Sequence, residues 1–281
     1  KINLGLDLQL FNDFNLTFDI FREKRRDIFM TRENSIPEIV GTGETKITSN
    51  NGEMENKGLD LAIDYNKQIT KDFFLSFKST LTFARNKVLK MDEPPYFEYP
   101  GLSDVGHPLG TYWGYVADGL FPDQETIDNS PRQDLGYTPQ PGDIKYVNQP
   151  NAKGEYDNVI NSNDRVAIGH PYDPELVYGF GPSMKWKNWD FSFFFQGVAR
   201  TSFMMYGMHP FGTTSIKNML QFVADDHWSV DNPNPNAAYP RLTKDSNGNN
   251  DQYSTYWLRN AAFLKLKNAE IGYTYKGMRF Y

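Results

Sequence analysis

The sequence predicts an all-β chain built as an antiparallel transmembrane β-barrel with long extracellular loops, and three observations carry the prediction. Apolar and polar residues alternate with a period of two in segment after segment, the signature of strands with two different faces. No apolar run approaches the ~18 residues that a spanning helix requires, since the densest stretch, Phe191 to Phe195, is interrupted by a Ser. The connections between the alternating segments are short and long by turns.

The first strand places Ile2, Leu4, Leu6, Leu8 and Leu10 on one face and Asn3, Gly5, Asp7 and Gln9 on the other. The second repeats the pattern with Leu16, Phe18 and Ile20 against Asn15, Thr17 and Asp19. The third sets Leu59, Leu61, Ile63 and Tyr65 against Asp60, Ala62 and Asp64, and the fourth Phe73, Leu75, Phe77, Leu81 and Phe83 against Ser76, Lys78, Thr80 and Thr82. Leu176, Tyr178, Phe180, Met184 and Trp186 make a fifth, in which Pro182 removes a ladder donor and predicts a bulge or an unpaired position. Trp189, Phe191, Phe193 and Phe195 make a sixth. In the seventh, roughly Phe263 to Tyr275, Leu264 and Leu266 lie on one parity and Ile271, Tyr273 and Tyr275 on the other, which predicts a bulge or a change of environment near Asn268. An eighth strand is expected to start at Met278, and the one helical signal is a short segment near Ser215 to Ala224.

The connections run Asn12-Asp13, Arg22 to Asn56, Lys67 to Lys71, Lys87 to Asp173, Lys187-Asn188 and Arg200 to Ala262. A soluble sandwich has little reason to put every long connection at one end, whereas an outer-membrane barrel has short periplasmic turns and long external loops. Trp186, Trp189, Tyr273 and Tyr275 lie close to short turns, where a periplasmic aromatic girdle belongs. The long connections are dense in turn formers, as in Asn232-Pro233-Asn234-Pro235-Asn236 and Asn247-Gly248-Asn249-Asn250, and also in aromatics, which favours ordered folding over a barrel mouth.

Composition agrees and excludes several classes. The 281 residues are 39% hydrophobic and 15% aromatic, too aromatic for a disordered chain, and a net charge of −6 argues against a nucleic-acid binder. Cys is absent, so there is no disulfide framework and no thiolate chemistry. A mean hydropathy of −0.63 suits a barrel with a polar lumen, and at this level a soluble β-protein as well. The opening Lys1-Ile2-Asn3-Leu4 carries no export segment, as in a mature chain or a piece of a longer one.

Covalent chemistry finds little support. Asp225-Asp226 beside His227 brings acid and imidazole together, but neighbours on an extended loop point apart, and no second cluster stands at a defined spacing. Asn148 to Asp164 has the polar composition of a calcium loop but lacks alternating oxygen ligands and a closing Glu. The expectation is therefore a non-enzyme with no catalytic residue, no metal and no cofactor.

A resemblance sharpens this reading. Asn56-Lys57-Gly58-Leu59-Asp60-Leu61, Gly106-His107-Pro108-Leu109-Gly110-Thr111-Tyr112-Trp113-Gly114-Tyr115, Asp118-Gly119-Leu120-Phe121, Gly142-Asp143-Ile144-Lys145-Tyr146 and Asn163-Asp164-Arg165-Val166-Ala167-Ile168-Gly169 resemble landmarks of the SusC/RagA family of TonB-dependent outer-membrane transporters. So do Phe194-Phe195-Gln196-Gly197-Val198-Ala199, Ala238-Tyr239-Pro240-Arg241-Leu242 and Ser254-Thr255-Tyr256-Trp257-Leu258 with Phe263-Leu264-Lys265-Leu266-Lys267-Asn268. The resemblance covers nearly the whole chain, least clearly from Arg200 to Asp226.

It implies that residues 1–281 are part of one barrel domain, about seven to eight strands of a larger barrel, with the plug domain and the TonB-contacting segment outside this chain. It also implies import of a nutrient, a glycan or oligopeptide, across the bacterial outer membrane, with outer-membrane lipid around the barrel and a SusD-like surface lipoprotein over its mouth. Tyr112, Trp113, Tyr115, Tyr206, His209, Phe211 and Trp228 are of a type to contact such a ligand. Trp113 and Tyr115 sit in a landmark and are assigned to architecture; the candidate ligand-binding residues are Tyr206, His209, Phe211 and Trp228. Asp164 and Arg165 are expected to pair and pin a loop to the wall. The rival readings are a soluble carbohydrate-binding β-sandwich and a small outer-membrane adhesin or enzyme.

Overall fold

A computed structural model describes residues 1–32, 34–36, 39, 41, 47–205, 220–243, 246–275 and 277. These divide into two compact units, one of residues 1–92, 173–201 and 261–281 and the other of residues 93–172 and 202–260. The first unit is a single antiparallel sheet of seven strands in sequence order: β1 (Ile2–Leu10), β2 (Phe14–Arg32), β3 (Ile47–Thr70), β4 (Phe73–Lys90), β5 (Leu176–Trp186), β6 (Trp189–Ala199) and β7 (Phe263–Tyr273). The expected start of an eighth strand at Met278 lies outside the described residues.

Register explains why the alternation is so clean. Leu6, Phe18, Leu61, Leu81, Tyr178, Gly197 and Leu264 stand side by side across all seven strands. One residue further along each strand, Asp7, Thr17, Ala62, Thr80, Gly179, Gln196 and Lys265 form the neighbouring row on the opposite face. The polar face bonds across strands, with Thr17 Oγ1 donating to Asp7 at 2.8 Å and Thr82 Oγ1 to Asp60 at 2.7 Å. Gly197 interrupts the apolar row only in sequence, because the Tyr178 ring occupies the space its side chain would take.

Both predicted irregularities are present. The β6–β7 register shifts between Phe194, opposite Asn268, and Phe195, opposite Leu266. Lys267 is therefore the extra residue, and the bulge puts Leu264, Leu266, Ile271 and Tyr273 on one face despite their different parities. In β5, Gly181 and Pro182 have no partners on β6, while Pro182 lies opposite Phe77 of β4.

One boundary differs from expectation. The connection expected from Arg22 to Asn56 is mostly hairpin, since β2 runs to Arg32 and β3 begins at Ile47. Its upper rungs are held by charge in place of apolar alternation: Arg22 Nη2 lies 2.7 Å from Glu55, Lys57 Nζ 2.9 Å from the same carboxylate, and Lys24 Nζ 2.7 Å from Glu53. A ladder of opposite charges carries no hydropathy period, so hydropathy alone reads it as loop.

The second unit is built from the two longest connections. Tyr112–Gly114 pairs with Val166–Ile168, Ala117–Leu120 with Ile144–Tyr146, Ser202–Met204 with Leu258–Asn260, all antiparallel, and Arg132–Gln133 with Val159–Ile160 in parallel. Short helices span Gln124–Asp128 and Gln221–Asp225. The latter matches the C-terminal part of the helix expected near Ser215 to Ala224, whose first residues lie outside the described ones. Tyr115, Leu120, Ile144, Tyr146, Ile160, Val223, Trp228, Ala237, Tyr239 and Trp257 make one buried core drawing on both connections.

Candidate functional site

The second unit holds together around a carboxylate. Asp143 is fully buried, and its Oδ1 accepts from Arg241 Nε at 2.8 Å, Asn247 Nδ2 at 2.9 Å and Asn250 Nδ2 at 2.8 Å. Its Oδ2 accepts from the Gln140 amide at 2.8 Å, so four donors satisfy one buried charge, as burial demands. Asn247, Asn249 and Asn250 are themselves fully buried. Asn250 Oδ1 accepts from the Ile144 amide at 2.8 Å, and Asn249 Nδ2 donates to the Ile144 carbonyl at 2.8 Å. Gln133 donates to Asn249 Oδ1 and accepts from the Tyr146 amide at 2.6 Å. Tyr146 Oη and Trp257 Nε1 then donate to the Asn249 and Asn250 carbonyls, at 2.7 and 2.8 Å. The Asn247-Gly248-Asn249-Asn250 segment, a turn by composition, is thus a polar clasp tying 133–146 to 241–257.

Burial also fixes the ionisation of the rings. It pushes the Tyr146 hydroxyl far above its ordinary range, a shift that a hydrogen bond with Ser254 only partly opposes. Tyr115 and Tyr256 are raised by burial too. All three hydroxyls stay neutral over the physiological range, and those of Tyr146 and Tyr256 donate to the Asn249 and Ala237 carbonyls.

The clasp reaches a concavity at the surface. Arg241, besides holding Asp143, donates from Nη2 to Tyr137 Oη at 2.5 Å, and its guanidinium carbon lies 5.9 Å from that ring's centroid. Tyr137 lines a cavity of about 620 Å³ together with Arg132, Asp134, Thr138 and Gln140. This size falls within the range of small-ligand sites. One oriented aromatic face with flanking donors and acceptors suits a polar, uncharged ligand such as a sugar or a peptide backbone. Nothing in the lining pairs a nucleophile with a base.

The residues singled out from sequence distribute as follows. Tyr206, His209 and Phe211 lie outside the described residues. Trp228 corrects the expectation of a ligand-facing ring: it is 7% exposed, belongs to the core, and packs against Gly142 so closely that a Cβ there would clash with it. Gly142 also has a φ of +89°, the left-handed region that suits glycine. Trp113 and Tyr115 are architectural. The Trp113 indole donates to Asp104 at 2.6 Å, and Tyr115 exchanges backbone bonds with Tyr253 and Thr255. Tyr112 stacks edge-on with Tyr172, ring centroids 6.3 Å apart.

Asp164 does not perform the expected pairing with Arg165. Its oxygens accept from the Gln149 and Asn161 amides, both at 2.7 Å, while Arg165 Nε donates to the Ser162 carbonyl at 3.2 Å. It closes a capping box on the turn Ser162–Asp164, a local role that short-range spacing favours. Burial raises its pKa, and the two amide hydrogen bonds oppose the shift.

Sequence reasoning missed Gln133, Asp143, Asn249 and Asn250 as organising residues. The available signal was Asp143 and Arg241 each inside a landmark motif, with an Asn-rich segment following the second.

No protein-family profile matches the chain. It is similar to TonB-dependent receptor P3 of Formosa agariphila, 25% identical over 285 residues, covering 97% of this chain and 26% of that protein. It is also similar to the TonB-dependent receptor SusC of Bacteroides thetaiotaomicron, 25% identical over 290 residues, covering 98% of this chain and 26% of that protein. Among solved structures, the RagAB peptide importer in its open-open state superposes with a TM-score of 0.69 at 19% identity, over 96% of this chain and 27% of that one. The chain therefore spans about a quarter of the length of these relatives. Its sheet is outer-membrane β-barrel wall, as the alternation and the one-sided loops predicted.

Proposed function

Taking this chain as a relative of the SusC/RagA-type TonB-dependent receptors of the outer membrane, we propose that it supplies wall and external loops to a larger barrel. The whole protein imports a nutrient, a glycan or oligopeptide, through TonB-driven gating and under a SusD-like lipoprotein. The observation that carries this reading is the folding of the two longest connections into one ordered unit around the Asp143 clasp. Loops that merely avoid the membrane need no buried carboxylate and no shared core, whereas loops that hold a ligand or a lipoprotein in register need both. That the structurally similar RagAB is a peptide importer supports counting oligopeptides beside glycans as cargo.

Ligand contact is assigned to Tyr206, His209 and Phe211, in the stretch least like the family, and to the concavity around Tyr137. Plug and TonB-contacting segments are taken to lie elsewhere in the protein. The test is uptake of labelled oligopeptides and oligosaccharides by cells with and without TonB. The reading expects uptake of one class that disappears without TonB and drops when the lipoprotein gene is deleted. TonB-independent uptake, or none of either class in a correctly inserted protein, overturns it.

A further inference from the structure

The apolar face of the sheet ends differently at its two edges, and the difference points to a ligand. At the short-turn edge it ends in rings: Trp186 lies opposite Trp189, and Trp189 opposite Tyr273, with ring centroids 4.8 Å apart. At the long-loop edge it ends in cations. The outermost apolar row on β2, β3 and β4 is Ile20, Leu59 and Phe83. One two-residue step beyond it, about 7 Å, the same face carries Arg22, Lys57 and Arg85 as direct cross-strand partners. The next step carries Lys24 and Lys87 on either side of Glu55.

Like charges directly opposite one another destabilise a sheet. The carboxylates present offset this only in part. Glu55 is shared by Arg22 and Lys57, Glu53 serves Lys24, and Glu175 is shared by Arg85 at 3.0 Å and Arg200 at 2.7 Å. Five cations thus share three carboxylates, and a sixth, Lys87, has no carboxylate within ion-pair distance among the described residues. The side chains of Arg22, Lys57 and Arg85 remain more than half exposed.

We propose that this row is a binding site for the phosphate-bearing headgroup of an outer-leaflet lipid, whose acyl chains lie on the apolar face below it. The inference rests on the outer-membrane reading of the sheet. The geometry fits a lipid better than a free anion, because the cations are continuous with a surface that takes hydrocarbon. Arg supplies planar, two-pronged donors to phosphate oxygens and Lys a point charge. The short-turn edge makes no such row: on β5, β6 and β7 it carries rings, Lys67 on the same face of β3 is paired with Asp13 at 3.1 Å, and Lys187 lies over the Trp186 ring.

The test uses the protein at its native length, purified in detergent. Retention of monophosphoryl lipid A, of the same lipid with its phosphate removed, and of inorganic phosphate is measured by native mass spectrometry. The wild type should retain the phosphorylated lipid preferentially, and inorganic phosphate should not displace it. The combined variant R22Q/K57Q/R85Q should retain it roughly tenfold less or weaker still, while the control K67Q/K71Q at the other edge should match the wild type. If the triple variant loses the heat-modifiable mobility of a folded barrel, K87Q, which breaks no ion pair among the described residues, should still reduce retention. Equal retention of both lipids, displacement by inorganic phosphate, or an unchanged triple variant overturns the headgroup site and leaves the barrel reading standing. A wild type that enters no lipid bilayer at all overturns both.

Discussion

The two units place the same kinds of residue in opposite positions. In the loop unit Ile144, Leu120 and Phe121 are 2% exposed or less, and of the buried hydrophobics among the described residues only Val88 lies outside it. In the sheet, Leu4 is 67% exposed, Ile271 65% and Trp186 52%. The loop unit is organised with its apolar residues inside, and its two buried carboxylates, Asp143 and Asp164, are hydrogen-bonded. The sheet is organised for two solvents at once: an apolar face left exposed among the described residues, and a polar face of cross-strand hydrogen bonds. A single hydropathy average blurs them, which is why a membrane protein here has a mean hydropathy of −0.63. Burial against protein stabilises one unit, and lipid takes that place in the other.

The largest effect that would break this comparison lies in the clasp. Asp143→Ala leaves Arg241 poorly paired and partly buried, which should cost about 3 to 5 kcal/mol. Limited proteolysis should then cut residues 93–172 and 202–260 while the barrel keeps its heat-modifiable mobility. Loss of both together would mean that the units do not have separate sources of stability.

On the sheet, Phe193→Arg, further from the girdle at Trp189, should impair assembly by about 2 to 4 kcal/mol, the cost of a cation on a barrel's lipid face near the midplane, and Ser192→Arg by much less. Urea unfolding in liposomes measures both. A smaller change sharpens the clasp: Tyr146→Phe removes one buried donor and strands the Asn249 carbonyl, costing about 1 to 3 kcal/mol in the loop unit alone. The smallest is Thr82→Val, which loses a cross-strand bond to Asp60 on the polar face and should cost roughly 0.2 to 1 kcal/mol.

Legibility followed the same division. The strands from Ile2 to Tyr273 were readable because lipid on one face and polar groups on the other impose a strict period of two. Even the β7 bulge showed as a change of parity between Leu266 and Ile271. The upper part of the β2–β3 hairpin was not readable, because Arg22, Lys24, Glu53 and Glu55 pair by charge and leave no apolar signal. The clasp was hidden for a further reason. Asn247, Asn249 and Asn250 are good turn residues, and only partners more than 100 positions away, Asp143 and Ile144, turn them into core. Trp228 misled in the opposite sense, since ring type alone does not distinguish a ligand platform from the lid over Gly142.

The measurement that addresses the two-solvent sheet most directly is a cysteine scan from Asp190 to Gly197 in the full-length protein, with any cysteine outside residues 1–281, which hold none, first replaced by Ser. Each site is spin-labelled in liposomes, and its collisions with dissolved oxygen and with a water-soluble nickel chelate are compared. Phe191, Phe193 and Phe195 should favour oxygen, and Asp190, Ser192 and Gln196 the chelate, so that the ratio alternates residue by residue. A ratio that does not alternate, or that favours the chelate at the three Phe positions, contradicts the assignment of this face to lipid.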